Sequence, residues 1–141
     1  MNNYNIKNAY DRMIKMGWDR VFWAVDLHGT IIKPNYRDSS KFDFYPGAIE
    51  VLKQLSRDKT DCLILYTCSH PEELDSVVGH FMEYGISFTY VNENPEAANT
   101  AYGCYEKKPY FNILLDDKAG FEAETDWELI KQELIKLGKW Q

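Results

Sequence analysis

The period of the apolar positions changes several times along the chain, and each change marks an element. Ile6, Tyr10, Met13 and Ile14 recur at helical spacing and Gly17 stands where a helix C-cap belongs, so the pattern predicts a helix over about residues 4–16. Arg20–Val25 is a short apolar, β-branched and aromatic run of the kind that parallel sheets bury on both faces. Residues 31–45 carry no clear period and several turn formers, which predicts a loop or short flap. Pro46 suits a first helical turn, and Ile49, Val51, Leu52 and Leu55 give the helix after it an apolar face. A second buried strand, Cys62–Tyr66, ends at Thr67. Pro71 opens a helix lined by Leu74, Val77, Val78, Phe81 and Met82 and closed by Gly85. Phe88–Val91 predicts a third strand, and Asn112–Leu115 a fourth that runs into Asp116 and Asp117. Trp127–Leu137 predicts a last helix with Leu129, Ile130, Leu134 and Leu137 inward. Residues 92–106, between the third and fourth strands, are polar and punctuated by Gly and Pro, and at that length predict a functional loop rather than a connector.

Alternating strands and helices imply right-handed βαβ units, hence an α/β fold: a three-layer, Rossmann-like parallel sheet with helices on both faces. The 141 residues suit a single domain over 1–141, with 1–17 as an N-terminal helical extension. Hydrophobic residues at 45% and charged residues at 27% are globular values and exclude disorder. A net charge of −6 and a pI near 5.0 argue against stable nucleic-acid binding through phosphate contacts. No wholly apolar run outlasts Val21–Val25, far short of the roughly 18–20 residues of a membrane span. Lys7, Asp11, Arg12 and Lys15 break up the N-terminus, as no secretory h-region would allow. Cys62, Cys68 and Cys104 are odd in number and lack metal-ligand spacing, so reduced thiols and a cytoplasmic location are expected.

In open parallel sheets ligands sit outside the carboxyl ends of the strands. There the chain places Asp26 after strand one, Thr67 after strand two and Asp116 with Asp117 after strand four, while Lys108 lies just before strand four. Carboxylates this close repel one another unless a cation offsets them, and hard oxygen ligands suit Mg²⁺ shared with a substrate phosphate. Asp26 would attack phosphorus, Thr67 would donate to a phosphoryl oxygen, and Lys108 would offset the developing charge. Gly29 would let backbone amides approach the phosphate.

These residues resemble the motifs of the haloacid dehalogenase-like hydrolase superfamily. Its first motif, an apolar strand followed by Asp-x-Asp-Gly-Thr, is similar to Phe22-Trp23-Ala24-Val25-Asp26-Leu27-His28-Gly29-Thr30. The second resembles Leu63-Ile64-Leu65-Tyr66-Thr67, and the third and fourth resemble Lys108-Pro109 followed by Ile113-Leu114-Leu115-Asp116-Asp117. The set occurs in the family's order over about residues 20–137, and the short flap is similar to that of small capless members. The resemblance implies that Asp26 is nucleophile and metal ligand, that His28 binds Mg²⁺ through its carbonyl, and that Asp116 and Asp117 complete the metal site. It implies Gly29, Thr30, Thr67, Cys68 and Lys108 as substrate-binding positions and a phosphorylated small molecule or macromolecule as substrate.

His28 departs from the family, whose phosphatases carry an acid/base Asp two places after the nucleophile. It replaces that Asp in an active hydrolase, marks a catalytically impaired Mg²⁺- and phosphate-binding protein, or marks a transfer reaction that does not need the usual Asp. Thr67 is preferred to the nearby Ser69, and Lys108 to Lys107 because the family pairs Lys with Pro. His70 is expected to face solvent at a helix start, and Cys68 to be a small packed side chain. A phospho-accepting receiver domain uses similar residues, but with the acidic pair first and Lys-Pro last; the order here excludes it.

Overall fold

The structure, a computed structural model, describes residues 5–34 and 42–141. The expected flap at 31–45 therefore falls partly outside the described residues. Helix α1 (Ile6–Met16) precedes strand β1 (Val21–Val25), followed by α2 (Ala48–Arg57), β2 (Asp61–Leu65) and α3 (Pro71–Glu83). Strands β3 (Tyr90–Val91) and β4 (Ile113–Leu115) come next, then a 3-10 turn at Asp117–Ala119 and helix α4 (Asp126–Lys136). Pro46 lies in the turn that leads into α2 rather than in its first helical turn.

The four strands form one sheet in the order β3-β2-β1-β4, every neighbouring pair parallel. Val21 pairs with Asp61 and Val25 with Leu65 on one side of β1, and Val25 pairs with Leu115 on the other. In-register partners project to the same face. Val21, Trp23, Val25, Leu63, Leu65, Ile113 and Leu115 thus share a face, and they join the buried residues of all four helices in one apolar cluster. The result is an α/β, Rossmann-like fold, as the strand–helix alternation predicts.

The opposite face has a different cover. Ala24, Cys62 and Ile64 are buried yet lie outside that cluster. Over this face run residues 92–112, which must carry the chain from β3 at one edge to β4 at the other. Tyr110 meets Phe22 edge-on at 6.3 Å, Phe111 tilts against Tyr66 at 5.7 Å, and Asn94 donates to the carbonyl of Tyr110. This third layer is irregular chain, not the helices expected on both faces, because the Gly- and Pro-containing stretch has no helical period to offer. The expected 92–106 loop is there; its first task is to cover a sheet.

Two side chains assigned to apolar faces point outward: Ile14 is 73% exposed and Met82 62%. In α1 the inward line is Ile6 and Tyr10, with Met13 half-buried, so Ile14 falls off the narrow contact stripe. At the amino end of the sheet Asp61 is enclosed. Its Oδ1 accepts from the Tyr10 hydroxyl (2.6 Å) and the Trp23 indole (3.0 Å), and Lys139 Nζ stands 3.3 Å from Oδ2. No helix among the described residues is long and apolar enough to cross a membrane.

Candidate functional site

Because β1 and β4 are adjacent and parallel, their carboxyl ends deliver Asp26 and Asp116 side by side. The Asp26 amide donates to the carbonyl of Leu115 (2.9 Å), extending the ladder by one rung to the site itself. Asp117 follows at the start of the 3-10 turn, whose first free amide, that of Lys118, is capped by Asp116 Oδ1 (2.9 Å). One carboxylate oxygen from each of Asp26, Asp116 and Asp117 lies within 4.8 Å of the others. Burial, then the charge of Asp116 and to a smaller extent that of Asp117, push the Asp26 carboxyl up to about 6.

The turn after β1 is built to hold this arrangement. Gly29 adopts φ +84°, a left-handed conformation, and a Cβ there would stand 2.6 Å from Asp117 Oδ2. Its own amide donates to the carbonyl of Ile32 (2.8 Å) and is committed within the turn. Thr30 differs from its expected role. It is fully buried and does not line the acidic cleft. Its hydroxyl donates to Asp26 Oδ2 (3.3 Å) and accepts from the amide of Asp117 (3.1 Å), while its carbonyl accepts from the Trp127 indole (2.8 Å). Thr30 is a tie between the two acidic segments, not a substrate contact.

The acids form the floor of a cleft of about 850 Å³, on which His28, Gly29, Thr67, Cys68 and Ser69 also open. His28 and Cys68 are exposed there, and the expectation of a packed Cys68 is not met. The Thr67 and Ser69 hydroxyls are 3.0 Å apart, so both present oxygen to the same space. His70 is exposed at the N-cap of α3, as expected. Lys108 is exposed and lies outside the lining of the cleft, whereas Lys107 belongs to it. The chain bends through Glu106–Lys108, so successive side chains leave in different directions and the Lys-Pro spacing alone does not choose between them.

Two further residues were not singled out in the sequence. Asn92 lines the cleft with φ +55° and accepts from the Thr67 amide (2.8 Å), fixing the turn after β2. A lone Asn just past a strand is a weak signal, though Asn tolerates this conformation better than most residues. Lys118 also lines the cleft, immediately after the acidic pair, where any of several exposed lysines would have looked alike.

The geometry defines a parallel α/β protein with a triple-carboxylate cleft at the carboxyl edge of its sheet. No family profile matches the chain, and none of the curated proteins does. Among solved structures it is similar to one described as a conserved protein from Bacteroides thetaiotaomicron. The two share 28% identity and a TM-score of 0.63, over 84% of this chain and 92% of that one.

Proposed function

We propose that the protein is a Mg²⁺-dependent phosphomonoester hydrolase that works through an aspartyl-phosphate on Asp26. The observation that carries this reading is the convergence of the Asp26, Asp116 and Asp117 carboxylates within 4.8 Å, in a cleft that also holds two lysines and hydroxyl donors. The donor set fits the metal: it is all oxygen and all anionic, with no thiolate or imidazole nitrogen among the grouped ligands. Burial first and the charge of Asp116 second raise the Asp26 carboxyl, and a cation would relieve the second of these. Bound Mg²⁺ would offset the acids' charge and polarise a phosphoryl oxygen.

The protein's own residues divide the remaining work. An Asp26 oxygen forms the new bond to phosphorus as the bond to the ester oxygen breaks. Imidazolium His28 passes its proton to the departing oxygen, and the neutral ring then takes one from the water that attacks phosphorus, releasing phosphate and restoring Asp26. Thr67 and Ser69 donate to the equatorial oxygens. Lys107, which lines the cleft where Lys108 does not, supplies the positive charge. Thr30 holds Asp26 in line.

Hydrolysis of an aryl phosphate by the metal-loaded protein tests this. Asp26→Asn is nearly isosteric and should fold, yet lose about three orders of magnitude or more in rate and all covalent labelling by beryllofluoride. His28→Asn should lose about 10²–10⁴-fold. The substitution of His for the family's Asp favours one second reading, a Mg²⁺- and phosphate-binding protein without turnover. An inert wild type that still binds both ligands would establish that reading instead.

A further inference from the structure

A second cavity, of about 420 Å³, opens far from the acidic cleft, at the amino end of β1 on the sheet face covered by residues 92–112. Its walls are aromatic: Trp18, Phe22, Tyr105 and Tyr110. Tyr110 lies parallel to none of the other three. Tyr110 meets Trp18 at 84°, Phe22 at 83° and Tyr105 at 70°, with centroids 5.4–6.4 Å apart. A flat ligand such as a nucleobase needs two parallel walls or one broad open face. Rings set at right angles form a corner instead, and a corner offers its negative π-faces to a compact, rounded cation.

The charges agree with the shape. Arg20 and Glu96 at the cavity neutralise each other, 3.4 Å apart, and Glu96 is held further by the Tyr90 hydroxyl (2.6 Å). That leaves Asp19, exposed at the rim and without an ion-pair partner among the described residues, as the uncompensated charge. Lysines already stand over Tyr45, Trp140 and Tyr10, but among the described residues no cation stands over the rings of this cavity. Trp18 is placed before any ligand arrives. Gly17 ends α1 in a left-handed turn at φ +68°, and the Trp18 amide donates back to Met13 (2.9 Å), a closed Schellman turn that fixes where the indole begins. Trp18 remains 36% exposed.

From the perpendicular rings, the unpaired carboxylate and the preset indole, we infer that this cavity is an aromatic cage for an alkylated ammonium group. A free choline-like cation and the methylated lysine of a peptide share that chemistry. The site is independent of the acidic cleft and stands whether or not the protein hydrolyses phosphate.

The test follows the four indole N–H resonances of the full chain during titration with tetramethylammonium chloride at constant ionic strength. Saturable movement of Trp18, with Trp23, Trp127 and Trp140 unmoved, is the expected result. Asp19→Asn and Tyr105→Leu should each weaken binding at least about five-fold, the unmoved buried indoles reporting that the variants are folded. The relative affinity of choline and a trimethyl-lysine peptide then names the source. Three results would overturn the inference: no saturable shift, an equal shift with the neutral isostere 3,3-dimethylbutanol, or tighter binding of a nucleoside at Trp18.

Discussion

At the scale of single residues the site depends on an atom that touches no substrate. Thr30 Oγ1 joins Asp26 to the amide of Asp117, residues far apart in the chain that follow neighbouring strands. Its methyl group and its hydroxyl are both enclosed, so Thr30→Val keeps the volume and removes only the two hydrogen bonds. The Asp117 amide is then left unsatisfied, at a cost of about 1–3 kcal/mol in stability. Asp26 is free to rotate, and a misplacement of this kind costs about 10²-fold in rate. The expected signature is a fall in kcat with KM nearly unchanged, and recovery in Thr30→Ser; equal activity of Thr30→Val and wild type would remove Thr30 from the site. Asp26, Asp116 and Asp117 were legible in the sequence because strand ends are legible and an acid beyond an apolar run has few other purposes. The role of Thr30 was not, because it depends on a partner 87 residues away. The choice of Lys107 over Lys108 was hidden for a related reason: a bend decides it, and spacing does not encode the bend.

Elements are held to one another by a polar tie at the end of the sheet opposite the cleft. Asp61 begins β2 and has no exposed side-chain surface. Tyr10 from α1, Trp23 from β1 and Lys139 from the chain beyond α4 meet on it. Lys139 is the only cation in the group, and it also bonds Asp58 (2.8 Å) and lies over the Tyr10 ring (4.3 Å). Its approach to Asp61 Oδ2 is a charge contact without the alignment of a hydrogen bond, which leaves that oxygen otherwise unpartnered. Burial raises the Asp61 carboxyl even so, and burial likewise raises the Tyr10 phenol. Lys139→Met keeps the stem and deletes the charge, so it should cost about 3–5 kcal/mol, the penalty of an uncompensated buried carboxylate. Urea unfolding measures it, and the activity per folded molecule should not change, since the cleft lies across the length of the strands. The same elements show where periodicity succeeds. Strands β1 and β2 are buried apolar runs and appear within a residue or so of the pattern. The third strand is Tyr90–Val91 rather than Phe88–Val91, with the Thr89 amide still donating to the carbonyl of Leu63 (2.9 Å).

For the whole molecule, the alternation of strands and helices implies parallel pairing with right-handed crossovers, but neither the order β3-β2-β1-β4 nor the third layer follows from it. No apolar period announces that residues 92–112 will cover a sheet face; scattered aromatic residues, Tyr110 and Phe111 among them, do it. A single core lies on the helical side, and the acidic cleft spans the end of β1 and β4, so the charge state of Asp26 acts on the stability of the entire fold. Unfolded, its carboxyl titrates near the ordinary 3.8; folded without metal it titrates at about 6. The native state therefore holds this proton more tightly than the unfolded chain does. The group's favourable contribution is present below the unfolded value and disappears as pH rises through the folded one. Asp26→Asn cannot ionise and escapes that loss. Without metal, the Tm of Asp26→Asn minus that of wild type should grow between pH 4 and pH 6.5, by roughly a few degrees, and level off above. Divalent cation competes with the proton for the same oxygens, so added Mg²⁺ should raise the wild-type Tm more at pH 7 than at pH 5 and shrink the difference. Differential scanning fluorimetry across that range measures both effects. A difference in Tm that is flat with pH and indifferent to Mg²⁺ would mean that the three carboxylates neither share a proton nor await a metal.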